Sequence, residues 1–128
     1  MTEGLKRTPL FKDHEWIKVE GNVAYIGITD YAQKALGEIV YVELPEVDSE
    51  FSLGDVFSVV ESVKAASDIF MPVDGKVVEV NEALSDEPEK INQDANDTWI
   101  MAVELENNIE SYELMSESEY IAMYEKEA

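Results

Sequence analysis

A single lysine, Lys64, stands out because its neighbours are small or apolar in a chain that is otherwise rich in acidic residues. Val60 and Val63 precede it, and Ala65 and Ala66 follow it. β-Branched residues before the lysine and apolar residues after it predict two strands joined by a turn, with Lys64 at the turn. A lysine fixed at a hairpin tip is suited to be the attachment point of a covalently bound swinging group.

Most constellations of catalytic side chains are missing from the sequence. It contains no cysteine and one histidine, His14, so neither a Cys–His pair nor a metal site of several histidines can form. The G-x-S-x-G, G-x-G-x-x-G and Walker A motifs are also missing. Carboxylates are abundant, but in so acidic a chain two of them more often form a solvated surface than a catalytic pair. We therefore predict a protein that is not an enzyme, with no catalytic residues or metal, and a partly exposed His14.

Short alternating segments that predict β-strands occupy most of the chain. Segments 16–19 and 23–26 flank Glu20-Gly21-Asn22, whose glycine and asparagine tolerate the positive φ of a tight turn. Further strands are predicted over 38–44, 51–63, 66–73, 76–80 and 99–105. The polar stretch 83–97 contains Pro88 and predicts a loop or irregular turns.

Two short helices are indicated by their capping residues. Asp30 with Gln33 resembles a capping box, and Gly37 is a natural stop, so about two helical turns are expected between them. Ser116 and Glu119 form a second box, which predicts a C-terminal helix over about 116–126. Three residues share one side of that helix by their i, i+3, i+4 spacing: Tyr120, Met123 and Tyr124.

Many short strands and only two short helices predict a mainly β fold, a small sandwich or barrel-like domain. The length of 128 residues is that of one ordinary domain, and no long linker divides it. We predict one domain over residues 1–128, with a core of about 12–105 and a C-terminal helix of about 116–126.

The chain carries 9 basic and 29 acidic residues, a net charge of −20. Phosphate neutralisation needs a basic patch that this composition does not supply, and anionic membranes would repel the chain, so neither nucleic acid nor membrane is an expected partner. The first ten residues lack the apolar stretch of a secretory signal, and no run approaches membrane-spanning length. We predict a cytoplasmic protein, with a mature organellar chain as the alternative.

Several segments carry a family resemblance in one order between Lys12 and Trp99. They are His14-Glu15-Trp16, 27–33, 36–40, 42–45, 61–65, 71–75 and 77–81. Together they resemble the H protein of the glycine cleavage system, a lipoyl-lysine carrier. Val63 before Lys64 and Ala65 after it resemble H proteins, whereas biotin carriers place methionines there and dehydrogenase lipoyl domains place Asp before the lysine. The match departs at 94–98, where the family has a Pro-Tyr-Gly-like segment.

The resemblance implies the barrel-sandwich hybrid fold of lipoyl and biotinyl carriers, with lipoate bound as an amide to the Lys64 ε-amine. A pyridoxal-phosphate glycine decarboxylase, the P protein, would load an aminomethyl group onto the arm. A tetrahydrofolate-dependent aminomethyltransferase, the T protein, would remove it. Dihydrolipoamide dehydrogenase, the L protein, would reoxidise the dithiol, and a lipoate or octanoate ligase or transferase would modify the lysine.

Four further residues are candidates for interactions of this lysine and its arm. Glu61, three residues before Lys64, is expected to guide the ligase. Glu15, Ile28 and Asp68 are expected from their positions to line a surface cleft in which the loaded arm is shielded from water.

Two other functions remain open from the sequence. One is an H-like lipoyl protein that donates octanoyl or lipoyl groups in lipoate assembly or serves as a scaffold for another modification system. The other is a β-sandwich interaction module that carries no group, in which Lys64 is only a charged hairpin tip.

Overall fold

The computed structural model describes residues 9–127, and residues 1–8 and 128 lie outside the described residues. The prediction that the first ten residues are not a secretory signal falls mostly on residues 1–8. The strands are β1 (Leu10–Lys12), β2 (Glu15–Glu20), β3 (Val23–Ile28), β4 (Ile39–Glu43), β5 (Glu50–Phe51), β6 (Val56–Ser62), β7 (Ala66–Phe70), β8 (Gly75–Val80) and β9 (Met101–Leu105). The α-helices are α1 (Asp30–Leu36), α2 (Ala83–Asp86), α3 (Lys90–Gln93) and α4 (Glu117–Glu127), and a 3-10 helix spans Ile109–Ser111.

The strands form two antiparallel sheets that pack as a sandwich. One sheet has the strand order β1-β2-β3-β9-β8-β5, and the other has the order β4-β6-β7. Both sheets contribute to one buried core, which includes Ile17 and Ile26 from the first sheet and Val42 and Val60 from the second. Burying each such side chain stabilises the fold by about 1.5–3 kcal/mol. The predicted mainly β barrel-sandwich with a short internal helix and a C-terminal helix is confirmed.

The segment 83–97, predicted as loop or irregular turns, instead contains two one-turn helices, α2 and α3. Leu84 of α2 and Ile91 of α3 are fully buried, so each short helix turns one apolar side chain into the core. Pro88 lies between them, and its carbonyl accepts a hydrogen bond from the Ile91 N–H at 3.2 Å. The polar composition of the segment gave no sign of these two buried side chains. Their burial stabilises the short helices although the local helix propensity is weak.

The segment 51–63, predicted as one strand, is divided between the two sheets. β5 pairs with β8 in the larger sheet, and β6 pairs with β4 and β7 in the smaller one. Two carboxylates hold the turn between β5 and β6: Asp55 accepts from the Ser52 N–H at 2.8 Å, and Asp74 accepts from the Leu53 N–H at 2.7 Å. This turn moves the chain from one sheet to the other.

Helix α1 begins at Asp30, but its cap differs from the predicted one. Thr29 is the N-cap, because it has the extended backbone a cap requires, and its hydroxyl oxygen accepts from the Ala32 N–H at 3.2 Å. Gln33 completes no capping box; its Nε2 donates to the Asp30 carboxylate at 2.9 Å. Gly37 ends the helix as predicted, and its N–H donates to the Gln33 carbonyl at 2.9 Å.

The C-terminal helix α4 opens with the predicted capping box. The Glu119 carboxylate accepts from the Ser116 N–H at 2.8 Å, and the Ser116 hydroxyl oxygen accepts from the Glu119 N–H at 3.3 Å. The predicted side of the helix packs against a second apolar cluster, formed with Phe11 and Trp16: Tyr120, Met123 and Tyr124. In the described part of the chain, no helix combines the length and apolar character needed to cross a membrane.

Candidate functional site

Lys64 is exposed at the tip of the hairpin formed by β6 and β7, as the strand pattern predicted. Ser62 closes this turn. Its N–H donates to the Ala65 carbonyl at 2.7 Å, and its hydroxyl oxygen lies 3.3 Å from the Lys64 N and 3.1 Å from the Ala65 N, accepting from both. Sequence reasoning missed Ser62, although serine is a residue that forms such local turns. The turn therefore presents the lysine on an ordered backbone.

A second contact fixes the hairpin tip from outside the hairpin. The Val63 N–H donates to the Glu38 carbonyl at 3.0 Å, which ties the tip to the segment between α1 and β4. The Lys64 side chain lies over Gly37, since a Cβ built on that glycine would be 3.5 Å from the Lys64 Cε. Gly37 has φ 84 and ψ −154, a conformation essentially restricted to glycine. The far end of the Lys64 side chain therefore lies at the C-terminal end of α1.

Asn92, on helix α3, holds the segment beneath the tip. Its Nδ2 donates to the Gly37 carbonyl at 2.9 Å and to the Gln33 Oε1 at 2.8 Å, and its Oδ1 accepts from the Ile39 N–H at 2.9 Å. Sequence reasoning missed Asn92 because it lies in the stretch predicted as loop. Its contacts connect residues 53 or more positions apart, so no local pattern signals them.

A cleft of about 440 Å³ lies between β2, β3, β7 and α1, and it brings together three of the predicted site residues. Glu15 and Ile28 are partners in the β2–β3 register and lie side by side. Asp68 reaches the cleft from β7, where it is exposed. The cleft is also lined by Leu36, the residue before the glycine under Lys64. The wall formed by α1 therefore runs towards the hairpin tip.

Glu15 gives the cleft a buried carboxyl group. The side chain belongs to a residue only 7% exposed, and burial, with a smaller repulsion from Asp13, raises its pKa from 4.5 to about 8. Lys12 and a hydrogen bond from the Phe70 N–H lower the pKa of this carboxyl in part. At neutral pH the carboxyl is therefore mostly protonated, and a cation placed beside it would favour its ionised form.

Glu61 lies apart from the cleft. It is exposed on β6, opposite Tyr41 on one neighbouring strand and Ala66 on the other. Tyr41 is 49% exposed and Val63 is 67% exposed, so Glu61 and two apolar side chains surround the base of the tip. A partner that reaches Lys64 therefore meets an acidic and apolar surface.

His14 lies in the turn between β1 and β2 and lines the cleft. It is partly exposed, as predicted from the sequence. Its Nδ1 is 2.9 Å from the Tyr120 hydroxyl, and its ring stacks on Tyr31 with ring centres 4.9 Å apart. Within residues 9–127, no group of three or more His, Asp or Glu side chains is arranged to hold a metal ion.

A two-sheet β domain that presents one lysine at a hairpin tip beside a cleft is the architecture of a carrier for a covalently bound group. The family model described as Glycine cleavage H-protein matches residues 9–127. The chain belongs to this family.

Individual relatives agree with the family match. The chain is 66% identical over 117 residues to the glycine cleavage system H protein of Alkaliphilus oremlandii (strain OhILAs), a match that covers 91% of this chain and 92% of that protein. It is 58% identical over 116 residues to the H protein of Thermoanaerobacter sp. (strain X514), with 91% and 92% covered. The crystal structure of a glycine cleavage system H protein from Mycobacterium marinum superposes with a TM-score of 0.84 at 36% identity, covering 92% of this chain and 97% of that one.

Proposed function

We propose that this protein is the lipoyl-lysine carrier of the glycine cleavage system, with lipoate bound as an amide to the Lys64 Nζ. The observation that carries the proposal is the placement of the Lys64 stem over Gly37, at the end of the helix that walls the cleft. In this proposal one cytoplasmic carrier domain, without catalytic residues of its own, serves enzymes that perform the chemistry. They are the P, T and L proteins and the lipoate or octanoate ligase or transferase.

The described residues fit a lipoyl arm. Lys64 offers an exposed primary amine, and the cleft volume of about 440 Å³ falls in the range of small-molecule sites. Ile28, Leu36 and Ile69 supply apolar lining for a hydrocarbon stem. When bound, the lipoyl group supplies a dithiolane that accepts the aminomethyl group from the P protein and releases it to the T protein. The chain itself positions the arm, shields it from water and offers carboxyl groups to the amine of the aminomethyl group.

Glu15 and Asp68 are suited to hold the amine of an aminomethyl group. An amine is cationic near neutral pH, so its approach favours the ionised form of the buried Glu15 carboxyl. Asp68 adds a carboxylate at the exposed rim. Charge-assisted hydrogen bonds are about twice as strong as neutral ones, and they strengthen in a site shielded from water. A loaded arm held there is protected from hydrolysis until a partner enzyme withdraws it.

Glu61 is proposed to belong to the surface that the modifying enzyme reads. It stands three residues before the lysine, on the exposed face of β6, and does not contribute to the cleft. The apolar Val63 and Tyr41 beside it provide area for contact with the ligase. Such a surface offers the ligase both an acidic side chain and apolar side chains beside Lys64.

Intact-mass measurement after coexpression with a lipoate ligase tests the attachment site. We expect one lipoyl addition on the native protein and none on Lys64→Arg. Lys34→Arg is the matched control, because Lys34 is also exposed, with 73% of its side chain accessible on α1, and should not affect modification. A lipoyl addition that persists in Lys64→Arg would overturn the assignment.

Reconstitution with the P, T and L proteins tests the pathway. Lipoylated protein is expected to support ammonia release that depends on glycine. Normal lipoylation without this activity would favour the role of octanoyl or lipoyl donor in lipoate assembly. Full biological activity of Lys64→Arg would instead identify an interaction module that carries no group.

A further inference from the structure

One tyrosine hydroxyl of the C-terminal helix joins two segments that border the cleft. The Tyr120 hydroxyl lies 2.6 Å from the Thr29 Oγ1 and 2.9 Å from the His14 Nδ1. Thr29 caps α1, the helix that forms one wall, and His14 precedes β2, the strand that carries Glu15. The Thr29 N–H also donates to the His14 carbonyl at 3.0 Å. The two segments are therefore joined twice at this point, by a backbone hydrogen bond and by the Tyr120 hydroxyl, which fixes the His14 and Thr29 side chains.

Ring stacking extends this support to the lining of the cleft. Tyr31, a lining residue, lies between the His14 ring at 4.9 Å and the Tyr124 ring at 4.6 Å, measured between ring centres. Tyr124 belongs to α4 and contacts Tyr120 edge-on at 5.0 Å. Two lining side chains, His14 and Tyr31, thus rest on two aromatic residues of the C-terminal helix.

Helix α4 is itself fixed to the larger sheet through Phe11. The Phe11 ring stacks on Tyr120 with ring centres 4.7 Å apart. Before the helix, Met115 exchanges two backbone hydrogen bonds with Phe11, at 2.9 and 2.7 Å. Tyr120 is only 4% exposed, so its hydroxyl forms these hydrogen bonds in a shielded environment, where an unmatched group would be costly. Phe11 and Tyr120 therefore connect the larger sheet to the residues that border the cleft.

We propose that Tyr120 is a positioning residue of the cleft: by holding His14 and Thr29 together, it sets the width of the cleft and the shielding of a loaded arm. The claim that the cleft shields a loaded arm rests on the proposed function, because it requires an arm on Lys64. The claim that Tyr120 sets the width of the cleft concerns the unmodified chain. It gives the C-terminal helix, which supplies none of the proposed arm contacts, a role in the carrier.

Tyr120→Phe tests the structural part in the unmodified protein, because it keeps the ring and removes the hydroxyl. We expect hydrogen exchange of the Thr29 and Ala32 amides to accelerate about two- to tenfold, the change that corresponds to losing one ordinary hydrogen bond. Water entering a wider cleft should also shift the Glu15 titration, followed by NMR of its carboxyl carbon, towards the usual range of a carboxyl. A merely structural tyrosine would leave that titration unchanged.

Tyr112→Phe is the matched control. The Tyr112 hydroxyl donates to the Asp74 carboxylate at 2.8 Å and accepts from the Asp74 N–H at 3.0 Å, and neither residue lines the cleft. Tyr112→Phe also removes a hydrogen-bonded tyrosine hydroxyl, but one that is away from the cleft. Amide exchange at Thr29 and the Glu15 titration should therefore stay as in the native protein. Thr29→Val removes the same contact from the other side and should shift the Glu15 titration as Tyr120→Phe does. Because it also removes the cap of α1, amide exchange is compared only for Tyr120→Phe. Thr29→Ser keeps a hydroxyl and should behave as native.

The lipoylated and loaded protein tests the consequence. Without partner enzymes, Tyr120→Phe should lose the aminomethyl group severalfold faster than the native protein, and Tyr112→Phe at the native rate. A native-like Glu15 titration in both Tyr120→Phe and Thr29→Val, together with native-like amide exchange in Tyr120→Phe, would overturn the positioning role. An unchanged rate of loss in Tyr120→Phe would overturn the shielding. A native protein that cannot be loaded would contradict the proposed function, while the measurements on the unmodified protein would still decide the role of Tyr120.

Discussion

The two hairpins that border the cleft are closed in different ways. The β2–β3 hairpin turns through Gly21 and Asn22, and Gly21 has φ +67, so the turn is made by residues within the hairpin. The β6–β7 hairpin has no glycine at its tip and is held by Ser62 and by the Glu38 carbonyl, which lies outside the hairpin. The first turn is therefore local, whereas the second depends on the end of α1.

The hairpins also contribute opposite ends to the site. β2–β3 contributes its open end, where Glu15 and Ile28 are buried in the cleft. β6–β7 contributes its closed end, where Lys64 is exposed, and the strand β7, from which Asp68 reaches the rim of the cleft. A buried carboxyl and an exposed amine thus lie on separate hairpins, each in the environment that its proposed task requires. Changes on one hairpin should leave the other largely intact, which can be tested.

Glu15→Gln should produce the largest effect, in the dependence of stability on pH. The folded-state pKa of about 8 exceeds the unfolded value of 4.5, so the folded state holds this proton more tightly. The resulting stabilisation is complete below the unfolded pKa and is lost as pH rises through the folded pKa. Relative to Glu15→Gln, the native protein should lose at most about 5 kcal/mol of unfolding free energy over that range.

Urea unfolding at several pH values between about 5 and about 8 measures this difference. Asp68→Asn removes a carboxylate from the exposed rim of the same cleft and controls for the loss of one negative charge from an acidic chain. If the native protein and Glu15→Gln kept a constant stability difference across the range, the carboxyl would not be protonated in the folded state. Glu15 would then be ionised in the folded protein, and the two hairpins would not differ as a buried neutral carboxyl differs from the exposed amine of Lys64.

Gly37→Ala should destabilise the fold by about 2–3 kcal/mol, because its φ of 84 and ψ of −154 are nearly inaccessible to alanine. The change should also disturb the tip, since the next residue, Glu38, accepts the Val63 N–H. We therefore expect slower lipoylation of Lys64 as well as a lower midpoint of urea unfolding.

Gly21→Ala is the matched change in the other hairpin. Its φ of +67 is the ordinary left-handed region, and a Cβ there meets nothing within 4 Å, so a cost of roughly 1–2 kcal/mol is expected. Lipoylation of Lys64 should proceed at the native rate. Equal rates in the two alanine variants would show that the end of α1 does not position the lysine.

Features determined by local chemistry were predictable from the sequence. The turn at Gly21-Asn22, the stop at Gly37 and the capping box of α4 each follow from residues within a few positions of one another. The strand pattern around Lys64 located its hairpin for the same reason. Glu15, Ile28 and Asp68 do line one cleft, but only the family resemblance suggested them.

Features that depend on distant contacts were not predictable. Thr29, not Asp30, caps α1 through a local bond to the Ala32 N–H, but the bond of the same hydroxyl to Tyr120 spans 91 residues. Asn92 holds the segment under the tip from a stretch predicted as loop, where burial of Leu84 and Ile91 creates two short helices. These residues have polar or unremarkable neighbours in sequence, and only the packed fold reveals what they contact.

Ser62→Ala should produce the smallest change in stability, and it separates the contribution of the Ser62 hydroxyl from that of the backbone bonds that hold the tip. The variant loses the hydroxyl that accepts from the N–H groups of Lys64 and Ala65, an exposed contribution of about 0.5–1 kcal/mol. The bond from the Val63 N–H to the Glu38 carbonyl remains available. Backbone order parameters from 15N relaxation should therefore fall at Lys64 and Ala65 and change less at Val63.

Asn22→Ala is the control for this change, because Asn22 occupies the other hairpin turn and its side chain makes an exposed 3.4 Å contact with Glu104. It should leave the order parameters of the lysine tip unchanged. If Ser62→Ala also left them unchanged, the Ser62 hydroxyl would not contribute to the order of the tip, and the backbone bonds from Ser62 to Ala65 and from Val63 to Glu38 would be enough to hold it. The difference between the two turns would then rest on the bond from the Val63 N–H to the Glu38 carbonyl, which ties the lysine tip to the segment between α1 and β4.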